Sequence, residues 1–531
     1  SYWAGVEGEN PMRYVGGLLG GTWLTSLCGD LGNGKFDGAH LVQNFENLNP
    51  SNTYWTKQYN LYAKVDTEEE RYLGFEKWWS GYFFTTKDEM RFITDELFVG
   101  NKLTKGTIQT ADRQTIDLKN IRSPIVVIAS WGDNITPPPQ ALYWIPDLYE
   151  NVEQIVANEQ TIVYSLDDRI GHLGIFVSSR VAEKQHAELV NTLDLIDVLP
   201  PGLYEMILEE KTEESAGADL LPGQFLVRFE GRSVDDILAL GDGREHEAAF
   251  ETVNKISEIN EGLYDTFVSP WVRAWSNDAT AELLRMSHPF RLQRFLLSDR
   301  NPAMWPIKTM AEAARQRRKP TDSDNPFVVN ERAVSDGIVS ALDGYRDARD
   351  HLYELTFKAI YNSPWIEALA GLRAPNADEH KPRARDRRLE AEFERQLEGI
   401  AAREGQGGFE EAVVRILLAC AKAERMIDVR GLRLGQQIVD EYPAFQRMGA
   451  KKFKELMREQ AFMIRFNEEQ ALAALPRLLP KAQHRAQAVE LVRRLIAADG
   501  EVSSESEEVF GKIERILGIE ASPPRTGKSA A

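Results

Sequence analysis

Two short segments carry the residue types with the most to offer chemically: Gly132-Asp133-Asn134-Ile135-Thr136-Pro137-Pro138 and Gly171-His172-Leu173-Gly174. A carboxylate that holds one imidazole nitrogen leaves the other to act as a general base. An Asp and a His that meet can therefore draw a proton from an attacking group. Each segment follows a stretch that reads as a strand. Pro124-Ile125-Val126-Val127-Ile128-Ala129-Ser130 is a β-branched run bounded by Pro and by Trp131-Gly132-Asp133, the pattern of a central parallel strand. Gln160-Thr161-Ile162-Val163-Tyr164-Ser165 follows a helix expected around 139–149. Strand, helix, strand at this spacing is a βαβ unit, and functional side chains gather at the C-terminal ends of its strands. The spacing thus predicts that Asp133 and His172 meet at one edge of the sheet. Taken singly, each residue has a plainer role, Asp133 as a helix cap and His172 as a hydrogen-bonded loop residue.

Other segments carry weaker chemistry. Cys28 precedes the Asp and the His in chain order, as a nucleophile would, within Ser26-Leu27-Cys28-Gly29-Asp30. The elbow that exposes such a nucleophile is Gly-x-Ser/Cys-x-Gly, and no such pentapeptide occurs in the chain. Cys28 reads better as a buried or incidental thiol. Gly29-Asp30-Leu31-Gly32-Asn33-Gly34-Lys35-Phe36 matches Gly-x-x-x-x-Gly-Lys, but Phe36 stands where a P-loop needs Ser or Thr. A glycine-rich surface loop is expected there. The aromatics Trp55, Tyr59, Tyr62, Phe75, Trp78, Trp79, Tyr82, Phe83 and Phe84 form either a lid over an apolar pocket or plain helix core. Near the C-terminus, Ala498-Asp499-Gly500-Glu501-Val502-Ser503-Ser504-Glu505 precedes a helix. Ser503 and Ser504 are cap candidates there, and the acids favour the helix N-terminus. Asp499, Glu501 and Glu505 are expected to bind a divalent cation weakly at most, because hard cations need several converging oxygens.

The elements that position these residues fall into blocks. Residues 1–210 are expected to hold the end of an α/β sheet with an aromatic cap. Residues 211–372 form a mainly helical region beyond the polar Glu209–Gly217 stretch, 373–408 a charged linker, 409–518 a helical domain and 519–531 a disordered tail. Val334, Ile338, Ala341, Leu342 and Tyr345 recur at a helical period, and the final block is expected to be all helix. Its apolar faces are Phe409, Val413, Ile416, Leu417 and Cys420, then Ala488, Leu491, Val492, Leu495 and Ile496. Ser269-Pro270-Trp271 and Ser363-Pro364-Trp365 read as Pro-started helices after a Ser cap rather than as an internal repeat. A chain of 531 residues with 43% hydrophobic and 27% charged residues is an ordinary globular one. Its net charge of −19 argues against broad nucleic-acid binding, and the Lys381–Arg388 cluster with its interleaved acid reads as a solvated linker. No apolar run is long enough to span a membrane, and two cysteines, Cys28 and Cys420, suit a reducing cytoplasm. The start, Ser1-Tyr2-Trp3-Ala4-Gly5, has neither an initiator Met nor a signal-peptide pattern, as expected of a chain that begins within a longer protein.

These motifs carry a resemblance. Trp55 to His172, through Asp117-Leu118-Lys119-Asn120-Ile121, Gly132–Pro138 and Gly171-His172, resembles the C-terminal part of the α/β-hydrolase domain of polyhydroxyalkanoate synthases and the related 3-hydroxyalkanoate synthetase-like family. In those synthases an Asp and a His assist a Cys that carries the acyl chain. The resemblance places these assisting roles on Asp133 and His172, implies an acyl-CoA or ester substrate without a cofactor, and puts a cap at the aromatic cluster. The chain departs from the family in lacking the elbow, so this stretch alone is expected to be inactive, with the nucleophile upstream of Ser1. The Ala498–Glu505 turn and its helices resemble the TerB-like (tellurite-resistance) domain, with Ala423-Glu424-Arg425-Met426-Ile427-Asp428 as a second copy in which Glu424 replaces Asp and Arg425 replaces Gly. The alternative expectation is a non-catalytic scaffold that gathers protein partners or metal through this helical domain.

Overall fold

The computed structural model describes residues 2–172, 174, 187–212, 215–221, 223–245, 247–372, 387–438, 442–500 and 502–519. β1 (Lys35–Asp37) and β2 (Phe84–Thr86) form a small antiparallel pair, and at the centre lies a five-stranded sheet of order β3-β4-β5-β6-β7, made of β3 (Ile125–Ser130), β4 (Thr161–Asp167), β5 (Gly202–Glu210), β6 (Phe225–Gly231) and β7 (Met426–Asp428). β3, β4 and β5 are parallel, and β6 and β7 continue antiparallel. The β-branched runs read as strands are β3 and β4. The helix expected between them is a chain of short ones, Pro138–Leu142, Trp144–Leu148 and Val152–Ala157. Pro138 opens the first, where a missing N–H costs nothing, and the Asn151 side chain caps the last at Gln154 N, 3.0 Å.

Alternation along β4 divides the core. Ile162 and Tyr164 pack on one face with Leu142, Ile145, Leu148 and Ile155. Val163 packs on the other with Leu195, Ile196, Val227 and Phe229. A strand buried on both faces needs apolar residues at successive positions, and Ile162-Val163-Tyr164 supplies them.

Two boundaries move. The polar stretch does not end the sheet: Glu209 and Glu210 close β5, whose pairing with β6 runs from Glu210↔Phe225 to Tyr204↔Gly231. The final block is not all helix either. After the Phe409–Glu424 helix, Arg425 adopts φ 55° and the next three residues add β7 to the sheet, opposite Arg228, Phe229 and Glu230. The Arg425 carbonyl accepts the Gly231 N–H at 2.7 Å, which stitches the helical block to the sheet. That block otherwise builds a dense core in which both expected apolar faces are buried, Val413, Ile416 and Cys420 against Leu491, Val492 and Leu495.

The region between is helical after β6, including a 36-residue helix, Pro326–Tyr361. Its first half splits the apolar period: Ile338 and Leu342 are half-buried on the side of Ser335, and the rest face out. Val334 and Tyr345 are exposed, while Ser335 is buried and takes a hydrogen bond from Trp55 Nε1, 2.9 Å. Its second half packs normally, with Phe357 and Tyr361 beside Trp3, Tyr14 and Phe250. Pro270 and Pro364 both start helices, but neither preceding Ser caps with its side chain. Ser269 instead donates to Asp30 at 2.6 Å. The aromatic cluster is not plain core, since Tyr62, Phe75, Trp78, Phe83 and Phe84 are exposed. The Lys381–Arg388 cluster lies outside the residues whose side chains are described.

Candidate functional site

β3 and β4 run in register up to Ser130↔Asp167, so the loops that follow leave the sheet at the same edge. Ser130, fully buried at the end of β3, ties them together. Its Oγ accepts the N–H of Gly132 at 3.1 Å from its own loop and that of Ile170 at 3.0 Å from the other. The loops touch so closely that a Cβ on Gly132 would lie 2.4 Å from the Arg169 backbone. Only glycine fits that approach.

The tie brings Asp133 and His172 together. Asp133 Oδ2 lies 2.8 Å from His172 Nδ1. Asp133 Oδ1 accepts the N–H groups of Ile135 at 2.8 Å and Thr136 at 2.9 Å. The Asp side chain is 1% exposed and the His side chain 32%. Capping and orienting are thus one arrangement, in which one oxygen secures the turn and the other secures the imidazole. An ionised carboxylate only accepts hydrogen bonds, so the proton on this link belongs to Nδ1 and the lone pair to Nε2. A half-exposed imidazole whose Nε2 is basic can take a proton from a hydroxyl or thiol and return it to a leaving group.

Cys28 sits in the Trp23–Leu31 helix, which packs on β1 (Lys35–Asp37) and on the Ser269–Trp275 helix. Burial pushes its thiol up, away from the thiolate a nucleophile needs. The glycine run beside it ends a helix and leads into a strand, the reverse of a P-loop. Asp30 in that run is structural. Burial opposes its charge, but hydrogen bonds from Ser269, Lys87 and Tyr264 outweigh this and hold it below the usual carboxylate range.

In the helical block Ser503, not Ser504, caps the Ser504–Leu517 helix, accepting the Ser506 N–H at 3.1 Å. Glu424 accepts from the hydroxyls of Ser503 and Ser506, the latter at 2.6 Å. Glu505 is exposed in the first helical turn, where a backbone N–H and the Ser504 hydroxyl lower its pKa. Glu501 and the Asp499 side chain lie outside the described residues. Among those described, no three His, Cys, Asp or Glu side chains are grouped to hold a metal ion. Sequence reasoning missed Ser130, whose signal is a hydroxyl closing an otherwise apolar strand.

No described helix is long and apolar enough to cross a membrane, and no solved structure matches the chain. The chain is 45% identical over 526 residues to a Rhizobium meliloti protein named "Uncharacterized protein in ackA 5'region", a match that spans 99% of this chain and 72% of that protein. A family model matches residues 1–403, and the chain accordingly belongs to the family described as "Protein of unknown function (DUF3141)".

Proposed function

We propose that Asp133 and His172 form the base half of an acyl-transfer or ester-hydrolysing site of the polyhydroxyalkanoate synthase type, acting on 3-hydroxyacyl thioesters or esters. The observation that carries this is the 2.8 Å Asp133–His172 link, with the carboxylate's other oxygen locked by two backbone N–H groups at the end of parallel strands. His172 Nε2 removes the proton of a thiol or hydroxyl as it attacks the acyl carbonyl, and Asp133 balances the imidazolium that forms. When the carbonyl re-forms, the same proton passes to the departing thiolate or alkoxide. The 531 residues contain no elbow. No residue among them is assigned as the nucleophile, and the chain by itself is expected to be inactive.

The test supplies the missing group. The chain is assayed with 3-hydroxybutyryl-CoA, alone and with a small added thiol as acyl acceptor, beside His172→Ala. Without thiol, wild type and variant run at the same background rate. With thiol, transfer depends on His172. Equal rates in wild type and variant in the presence of thiol overturn the proposal. The scaffold alternative draws support from one observation, the broad exposed apolar surface between residues 267 and 369.

A further inference from the structure

In three helices between Ser269 and the first half of Pro326–Tyr361, polar side chains make the inward contacts while large apolar ones stay exposed. In the Pro289–Leu296 helix, Arg291 makes a two-point ion pair with the buried Asp37, at 2.8 and 3.1 Å, and Arg294 pairs with the buried Glu76. Leu292, Phe295 and Leu296 consequently face out. Ser269 reaches inward to Asp30, while Trp271 and Trp275 on the same helix are 71% and 80% exposed. Glu331 takes hydrogen bonds from Tyr59 and Tyr62, and Ser335 takes one from Trp55, while Phe327 on the same helix is 86% exposed. Rotating any of these helices to bury its apolar side would strand a buried carboxylate or hydroxyl without its partner, a cost that opposes the apolar burial. The apolar side chains of these helices are therefore held outward by the fold. Surfaces of this kind mark an interaction site.

The Trp305–Arg317 helix says what covers it. All 13 of its residues are exposed, and a short helix with no buried face is marginal in water. Ile307, Met310 and Ala314 share one side by helical spacing, and Lys308, Glu312 and Arg315 share another. Between positions 300 and 319 stand six basic residues, Arg300, Lys308, Arg315, Arg317, Arg318 and Lys319, against one acid, Glu312, in a chain whose net charge is −19. The ion pairs of Lys308 with Asp299, Arg315 with Glu69 and Arg318 with Asp66 are solvent-exposed, so those cations exchange partners at little cost. Tryptophan beside a local basic excess on a helix that lacks a buried face is the composition of an interfacial helix.

We propose that the face formed by residues 269–334 docks on an anionic lipid surface, its Trp, Phe and Leu side chains entering the headgroup boundary and the 308–319 cations pairing with phosphates. The full chain is tested by cosedimentation with vesicles of phosphatidylglycerol and phosphatidylcholine in equal parts, and with phosphatidylcholine alone. Binding to the anionic vesicles at least tenfold tighter than to the neutral ones is expected, with a blue shift of tryptophan emission. Trp271→Ala/Trp275→Ala/Trp305→Ala and, separately, Arg315→Glu/Arg317→Glu/Lys319→Glu should each weaken it, the second by roughly fivefold or more per charge. All these side chains are exposed, so the packed remainder of the chain keeps its unfolding midpoint in both variants. Absence of binding, or equal binding to both vesicles, overturns the proposal. So does a light-scattering dimer that the Trp variant dissociates, because the face then belongs to a second copy of the chain.

Discussion

The five-stranded sheet with its C-terminal helices and the helices of residues 269–334 are built from similar residues in opposite order. In the first region Ile162, Val163, Ile416 and Val492 are fully buried, and buried polar groups such as Ser130 and Arg415 are tied to backbone. In the second, Arg291, Arg294, Ser269 and Ser335 point in, and tryptophans point out. The first region hides its apolar surface within itself. The second spends its polar contacts on holding a shape and leaves its apolar surface for something else to cover.

Substitutions in each region should separate the two modes of packing. The largest effect belongs to Arg415, fully buried in the helical block, where it donates to Gln460 at 2.8 Å and to the carbonyls of Glu404 at 2.9 Å and Ala471 at 2.8 Å. Burial pulls its pKa below that of an ordinary arginine, although Glu404, Glu411 and Glu459 favour the charge. Arg415→Ala removes several buried hydrogen bonds and opens a cavity, and should cost about 3–5 kcal/mol in urea unfolding. A loss below about 1 kcal/mol would show that the bundle tolerates polar vacancies as the outer helices tolerate apolar exposure. Gly132→Ala comes next. The backbone must shift to admit the Cβ, at about 1–3 kcal/mol, and the Asp133–His172 link should lengthen in a crystal structure of the variant. An unchanged link would mean that Ser130 alone sets the loops.

A smaller, pH-dependent effect sits in the outer helices. His288 Nδ1 accepts the Phe290 N–H at 3.3 Å, its ring centroid lies 4.9 Å from that of His40, and Asp37 and Arg291 stand beside the pair. Burial lowers the pKa of both histidines below the ordinary imidazole value of 6.5. The folded state therefore binds fewer protons than the unfolded one, and stability is lost as pH falls below that value. Unfolding midpoints should drop between pH 7 and pH 5.5, and His288→Asn, which can still cap, should flatten the drop. An equal drop in the variant would assign it to other groups. The smallest effect is expected at Trp365 and Phe327, 82% and 86% exposed. Replacing either with Ala should change stability by no more than about 0.5 kcal/mol. A loss of about 2 kcal/mol would mean that this face is covered within the isolated chain.

The Asp–His site was legible in the sequence because its signals are local. A β-branched run, a Pro-bounded turn and a Gly-His after the next run place two loops at one edge without any long-range information. β7 was not legible. Three residues that follow a helix carry no strand signal of their own, and they pair only because Arg425 turns left-handed and presents its carbonyl to Gly231. The hairpin of β5 and β6 was hidden by the charges at Glu209 and Glu210, which mark a solvated strand end as readily as a linker. Which side of the middle helices faces inward was not legible, for another reason. An apolar stripe predicts the buried face only when no ion pair competes for it, and Asp37, Glu76 and Asp30 come from segments over 200 residues away.

The central claim is that Asp133 sets His172 as a base, and it is tested most directly by the protonation of that imidazole. Asp133 Oδ1 is fixed by the N–H groups of Ile135 and Thr136, which require an acceptor. In Asp133→Asn the amide oxygen must take that place, so the NH₂ faces His172 and donates to Nδ1. Nitrogen-15 NMR of labelled chain should find the wild-type ring protonated at Nδ1, and the variant ring protonated at Nε2 and no longer basic there. A wild-type ring already protonated at Nε2, or a tautomer indifferent to the substitution, would contradict the account.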